Sequence, residues 1–152
     1  MKKILLTALL LALSFNTLAE KPEGDYKNWR LLSISHRTDK QTLRAILGND
    51  KAIESARAGT INPWAEGSIL AKVKWKESIH ESWPAAIVPA EFEAAEAMVK
   101  DSKKYATTGG WGFGKWQGAN LVMFDEAKSK ECFACHTAVQ KNDYVFTHSA
   151  LQ

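Results

Sequence analysis

Cys132, Cys135 and His136 stand together in the run Cys132-Phe-Ala-Cys135-His136, close to the carboxyl end of a 152-residue chain. Two thiols at this spacing can close a disulfide or act as a redox dithiol in an oxidising compartment. Neither use explains the histidine. A zinc site would need two further ligands nearby, and only His36, His80 and His148 remain, scattered along the chain. Covalent haem attachment employs all three residues: the thiols add across the two vinyl groups, and the adjacent imidazole binds the iron. The motif therefore predicts one haem c, bonded to Cys132 and Cys135 and ligated through His136.

The amino terminus agrees with that chemistry. Lys2 and Lys3 precede an apolar run from Ile4 to Phe15, and Thr17-Leu18-Ala19 supplies small residues, so a signal peptide is expected over residues 1–19 with cleavage after Ala19. The mature chain, residues 20–152, has the size of one domain with one core. Nothing after residue 20 resembles the roughly 20 apolar residues of a membrane helix, so the expectation is a soluble periplasmic protein without a membrane span. Losing Lys2 and Lys3 leaves 18 Lys plus Arg against 17 Asp plus Glu. A chain so balanced has no basic footprint for nucleic acid. Six Trp, six Phe and three Tyr are enough to wall a large apolar cofactor or simply to pack a small core. Trp64, Trp75, Phe92, Trp111 and Phe113 are the candidates for such a wall.

The elements that must position these residues are read from periodicity and punctuation. Residues 29–36 and 42–48 are apolar enough for strands, the second being ambiguous with helix. Asn49 or Asp50 can cap a short helix running to Arg57, which Gly59 would end, and Asn62-Pro63 and Glu66-Gly67 mark turns. From Ser68 to Glu77 the alternation predicts a strand with Ile69, Ala71, Val73 and Trp75 on one face and Leu70, Lys72, Lys74 and Lys76 on the other. Pro84 and Pro89 break the next segment, and Ala90 to Lys100 reads as helix on its Ala and Glu content. Trp111 to Trp116 alternates aromatics with glycine or lysine, as a strand does where another group approaches its backbone. Residues 119–140 read as a helix carrying the cysteines.

The position of the haem motif narrows the type of protein. Mitochondrial-type carriers place it near the amino terminus with a methionine ligand far downstream, whereas no methionine comes after His136 here. The four-helix cytochromes c′ place it late, but the strand at 68–77 is incompatible with their sustained 3.6-residue periodicity. Several separated segments together resemble cytochrome P-460 and its relatives, the β-sheet cytochromes c′: Tyr26 to Trp29, Leu43-Arg44, Gly67 to Lys72, Val99-Lys100-Asp101, Gly109 to Phe113, Cys132 to His136, and Asp143 to Thr147. They extend over nearly the whole mature chain.

That resemblance implies an α+β fold, mainly an antiparallel sheet with a few helices, with strand in place of helix over residues 91–101. It further implies a homodimer and a five-coordinate haem with His136 as proximal ligand. Activities within the family diverge. Cytochrome P-460 oxidises hydroxylamine to nitrogen oxides with a haem that a lysine also cross-links, and passes electrons to an acceptor cytochrome. The β-sheet cytochromes c′ lack the cross-link and bind nitric oxide. Lys72, five residues after Gly67, falls where the cross-linking lysine would be, which favours the enzyme; a solvated lysine beside Lys74 and Lys76 is the alternative. Arg44 matches a family arginine that could pair with a propionate or a distal ligand, or lie on the surface. The catalytic candidates are accordingly Lys72 and Arg44, with Glu66, Glu96 or Asp125 as proton acceptor. A simple electron carrier is the third reading, and it would need His36, His80, His148, Met98 or Met123 as sixth ligand.

Overall fold

The computed structural model describes residues 25–151; the leader expected over residues 1–19 lies outside them. Six strands pair antiparallel with their neighbours in chain order: β1 (Arg30–Arg37), β2 (Thr42–Gly48), β3 (Ile69–His80), β4 (Trp83–Lys100), β5 (Trp111–Gln117) and β6 (Asn120–Met123). Helix α1 (Asp50–Arg57) joins β2 to β3, and α2 (Glu126–His136) comes after β6. This is an α+β fold dominated by one antiparallel sheet.

Local chemistry accounts for the framework. Asn49 has extended backbone and accepts from the Ala52 N–H at 3.1 Å, capping α1. The same side-chain oxygen accepts from the Ile69 N–H at 2.9 Å, while Nδ2 donates to the Gly67 carbonyl at 2.9 Å. One buried amide thus ties the start of α1 to the start of β3. Along β5 the alternating glycines sit where backbone space is short. A Cβ on Gly112 would lie 2.3 Å from the Tyr105 ring, and one on Gly114 would lie 2.7 Å from the Val122 carbonyl oxygen.

Two expectations are corrected. Residues 90–100 are not helical, and Pro84 and Pro89 do not break the segment: all belong to the 18-residue strand β4. Pairing with β3 on one side and β5 on the other satisfies the backbone of residues 96–100 and overrides the helix preference of Ala and Glu. Over residues 83–95 β4 has β3 alone as neighbour, and the register slips between Trp75–Phe92 and Glu77–Pro89. Edge position and bulge together make proline tolerable. Residues 119–140 are likewise not one helix, since β6 occupies Asn120–Met123 and only Glu126–His136 is α-helical before a 3-10 turn, Thr137–Asn142.

Side chains of the two sheet faces enter different cores. Leu70, Trp111 and Phe113 face the helices, joining Ile53 of α1, Trp64 of the connecting loop, Val145 of the carboxyl-terminal segment, and Cys132 and Phe133 of α2. Ala71, Val73 and Ala95 face the other way, beneath Tyr26, Trp29, Trp75 and Trp116. The sheet therefore has a helix-bearing face and an aromatic face, and only the first carries the cysteines.

Candidate functional site

Helix α2 is capped by Asp125, whose carboxylate accepts from the Lys128 N–H at 2.8 Å, and it ends at His136. Cys132 is half-buried against the helix-face core, and Cys135, nearly one turn later, is exposed. Both thiols are free. His136 is partly buried, with its ring 5.3 Å from that of Phe113 and 5.2 Å from that of Phe146, measured between centroids. Its Nδ1 is 2.7 Å from the Tyr144 carbonyl oxygen. A carbonyl can only accept, so Nδ1 carries the proton and Nε2 keeps its lone pair. Burial lowers the imidazole pKa, against the opposing effect of the Tyr144 bond, and favours the neutral, ligating form.

The opposing wall comes from the sheet. Ile46, Lys72 and Glu96 stand opposite one another on β2, β3 and β4, two residues along from the core-forming Leu70 and Met98 and on the same face. Lys72 and Glu96 form an ion pair. Their charges reach α2: Lys72 lowers and Glu96 raises the proton affinity of both His136 and Cys132, although burial is the larger influence on each. Lys74 and Lys76 pair instead with Glu93, further out along the hairpin. Glu96 is pushed up by burial, but its hydrogen bond and attraction to Lys72, with Lys74 and Arg44 adding, hold it below the ordinary carboxyl value.

Arg44 lies on β2 opposite Lys74, diagonal to Lys72 on the same face. Its Nε is buried with no hydrogen-bond partner, and burial depresses its pKa while Glu96, Asp39 and Glu93 oppose that. A guanidinium with an unanswered donor beside the Lys72–Glu96 pair suits an anionic group such as a propionate. The donor set as a whole fits haem c: two thiols on one helix turn, a neutral imidazole with a free Nε2, aromatic neighbours, and an orphan cationic donor on the helix-bearing face of the sheet. Among the described residues no three His, Cys, Asp or Glu side chains converge to hold a bare metal ion.

Of the residues read from sequence, Lys72, Arg44, Cys132, Cys135 and His136 thus share one face of the sheet and the helix over it. The proton-acceptor candidates separate. Glu66 accepts from the backbone and hydroxyl of Ser102, and Asp125 is occupied as a helix cap, so Glu96 alone faces the site. Trp64, Trp111 and Phe113 belong to the core beneath it, whereas Trp75 packs on the other sheet face and Phe92 is exposed. His36, His80 and His148 are exposed; His36 and His80 lie at the outer ends of β1 and β3, His36 pairing with Glu77, and His148 lies on the carboxyl-terminal segment beyond Phe146. Glu96 is among the proton-acceptor candidates of the sequence, but its place opposite Lys72 is hidden by the helix-like composition of its segment, and one contributor escapes a reading of the sequence altogether. The Tyr144 carbonyl is backbone, for which only the Asp143-Tyr144 motif gives a sign.

A family model for cytochrome P-460 matches residues 23–147, a span that takes in all six strands and both helices. No curated protein matches the chain.

Proposed function

The chain belongs to the cytochrome P-460 family and is a c-type haem protein of that kind; we propose that it oxidises hydroxylamine to nitrogen oxides and passes the electrons to an acceptor cytochrome. The observation that carries this reading is the Lys72–Glu96 pair, a potential cross-linking amine and a carboxylate base held together on the sheet face towards α2. In this reading the mature chain is exported after loss of residues 1–19, and residues 20–152 form one haem domain that works as a homodimer.

Cys132 and Cys135 would hold the haem through thioethers, each S–H adding across a vinyl group without net redox change. His136 would ligate iron through Nε2, the tautomer for which is held by the Tyr144 carbonyl. When bound, the haem would supply the redox chemistry that takes up the electrons of the oxidation. Lys72 would be the residue to hold the haem edge, through a C–N bond that replaces a ring C–H and so needs a two-electron oxidant such as a peroxide during maturation. Glu96 beside it would be the group to accept substrate protons. Arg44 offers its unpaired Nε–H to a propionate or to an anionic product.

A non-enzymatic nitric-oxide binder is the second reading. It is favoured by the same pair in its charged state, since an ammonium held by Glu96 is not a nucleophile. The purified haem protein decides between them when mixed with hydroxylamine and an oxidised acceptor. Catalytic reduction of the acceptor with release of nitrogen oxides is expected. Absence of turnover in protein whose ferrous form binds nitric oxide would remove the enzyme reading.

A further inference from the structure

Lys100 and Asp143 are the most deeply buried charged residues described, 3% and 7% exposed. Lys100 closes β4, and Asp143 lies just beyond the 3-10 turn after α2. Lys100 Nζ donates to both carboxylate oxygens at 2.9 and 2.7 Å and sits 5.0 Å from the centre of the Trp111 ring. Asp143 Oδ2 also accepts from the Trp64 N–H at 2.9 Å, and the Asp143 carbonyl accepts from Trp111 Nε1 at 2.8 Å. A buried ion pair of this kind contributes little net stability over an apolar replacement, so its value is better sought in what it fixes.

What it fixes is an unusual turn. Asp143 and Tyr144 both have positive φ, 49° and 63°, a conformation that costs roughly 1–2 kcal/mol for each residue other than glycine. Such a turn persists only where its surroundings determine it. Lys100, Trp64 and Trp111 hold the first residue. The second is held by its ring, 4.9 Å from that of Phe133, and by Gly109, where an added Cβ would lie 2.4 Å from the ring. The product of the turn is the direction of the Tyr144 carbonyl, which receives His136 Nδ1–H.

We propose that Lys100 and Asp143 are positioning residues for the proximal histidine: they hold the turn whose Tyr144 carbonyl fixes the His136 imidazole, and so set how strongly that imidazole donates to iron. The inference rests on His136 being the haem ligand. A hydrogen bond accepted from Nδ1–H raises the basicity of the ring and stabilises ferric over ferrous iron. Loosening the turn weakens that bond.

The paired variant Lys100→Met with Asp143→Asn isolates the effect. It leaves net charge unchanged, so a change at the haem cannot be a simple loss of charge, and asparagine keeps a preference for positive φ. Gly109→Ala displaces the Tyr144 ring without touching any charge and serves as the independent second variant. In haem-loaded protein, resonance Raman of the ferrous form and potentiometry are the readouts. The iron–histidine stretch is expected to fall in frequency and the reduction potential to rise in both variants. Folded variants with wild-type stretch and potential, altered only in thermal stability, would overturn the positioning role. A wild-type protein with no iron–histidine band would instead overturn His136 as ligand, and the inference with it.

Discussion

Lys72 on β3 and Glu96 on β4 are direct cross-strand partners, and their side chains join in an ion pair on the face of the sheet that α2 covers. In the proposed reading the pair has two uses that exclude each other in time. While Lys72 is an ammonium, it holds Glu96 ionised below the ordinary carboxyl range. With the Lys72 nitrogen bonded to the haem edge, as proposed, that charge would be gone, and burial, the largest influence on Glu96, would be opposed by the weaker attraction of Lys74 and Arg44 alone. The carboxyl then moves towards the range useful to a base.

Glu96→Gln should therefore lower hydroxylamine oxidation by roughly 10²–10⁴-fold, the usual share of a general base, without releasing haem. Activity needs the carboxylate, so it is lost as pH falls through the Glu96 pKa, and in cross-linked protein that acid limb lies above the value for the haem-free chain. A pH–rate profile of the wild type beside carboxyl titration of the haem-free chain checks this. An acid limb that persists in Glu96→Gln would assign it elsewhere.

The two thiols differ in setting, Cys132 half-buried and raised in pKa by burial, Cys135 exposed. Cys132→Ser and Cys135→Ser should each give protein with one thioether or none. Intact mass together with haem staining of denatured protein reads the outcome. Full retention of a doubly attached haem in either variant would contradict the attachment scheme.

Asn49 is the stability prediction. Asn49→Ala removes the α1 cap and leaves the buried Ile69 N–H and Gly67 carbonyl without partners. The cost should be about 2–4 kcal/mol. Denaturant unfolding of the variant measures it, and a loss under about 1 kcal/mol would mean that water or backbone replaces the amide.

Much of this arrangement is legible in the residues because it depends on local rules. The haem motif has a fixed spacing, the 68–77 alternation is a period-two pattern, and Asn49 sits where a cap should. The parts that are not legible depend on pairing across the sheet. Ala90 to Lys100 carries a helix-forming composition, and only the neighbours supplied by β3 and β5 turn it into strand. With that segment read as helix, nothing places Glu96 opposite Lys72, so sequence alone cannot choose among Glu66, Glu96 and Asp125. The segregation of Trp75 from Trp64 and Trp111 has the same origin, since which face a residue takes is set by register and not by residue type.

The coordination state supplies a further check. Of the two methionine candidates for a sixth ligand, Met98 packs against the core on the helix-bearing face and Met123 lies on β6. Ferric protein should be high-spin at neutral pH. A low-spin spectrum that Met98→Leu converts to high-spin would show a closed site and an electron carrier.

The most direct measurement is the mass of the haem-bearing peptide after tryptic digestion of the purified wild-type protein. One haem joining the peptide that contains Cys132 to His136 to a second peptide that contains Lys72 is the predicted result, accompanied by a ferrous Soret band far to the red that Lys72→Ala returns to an ordinary c-type position. Haem on Cys132 and Cys135 alone, in wild-type protein with an ordinary spectrum, would contradict the hydroxylamine-oxidising reading and leave the nitric-oxide binder.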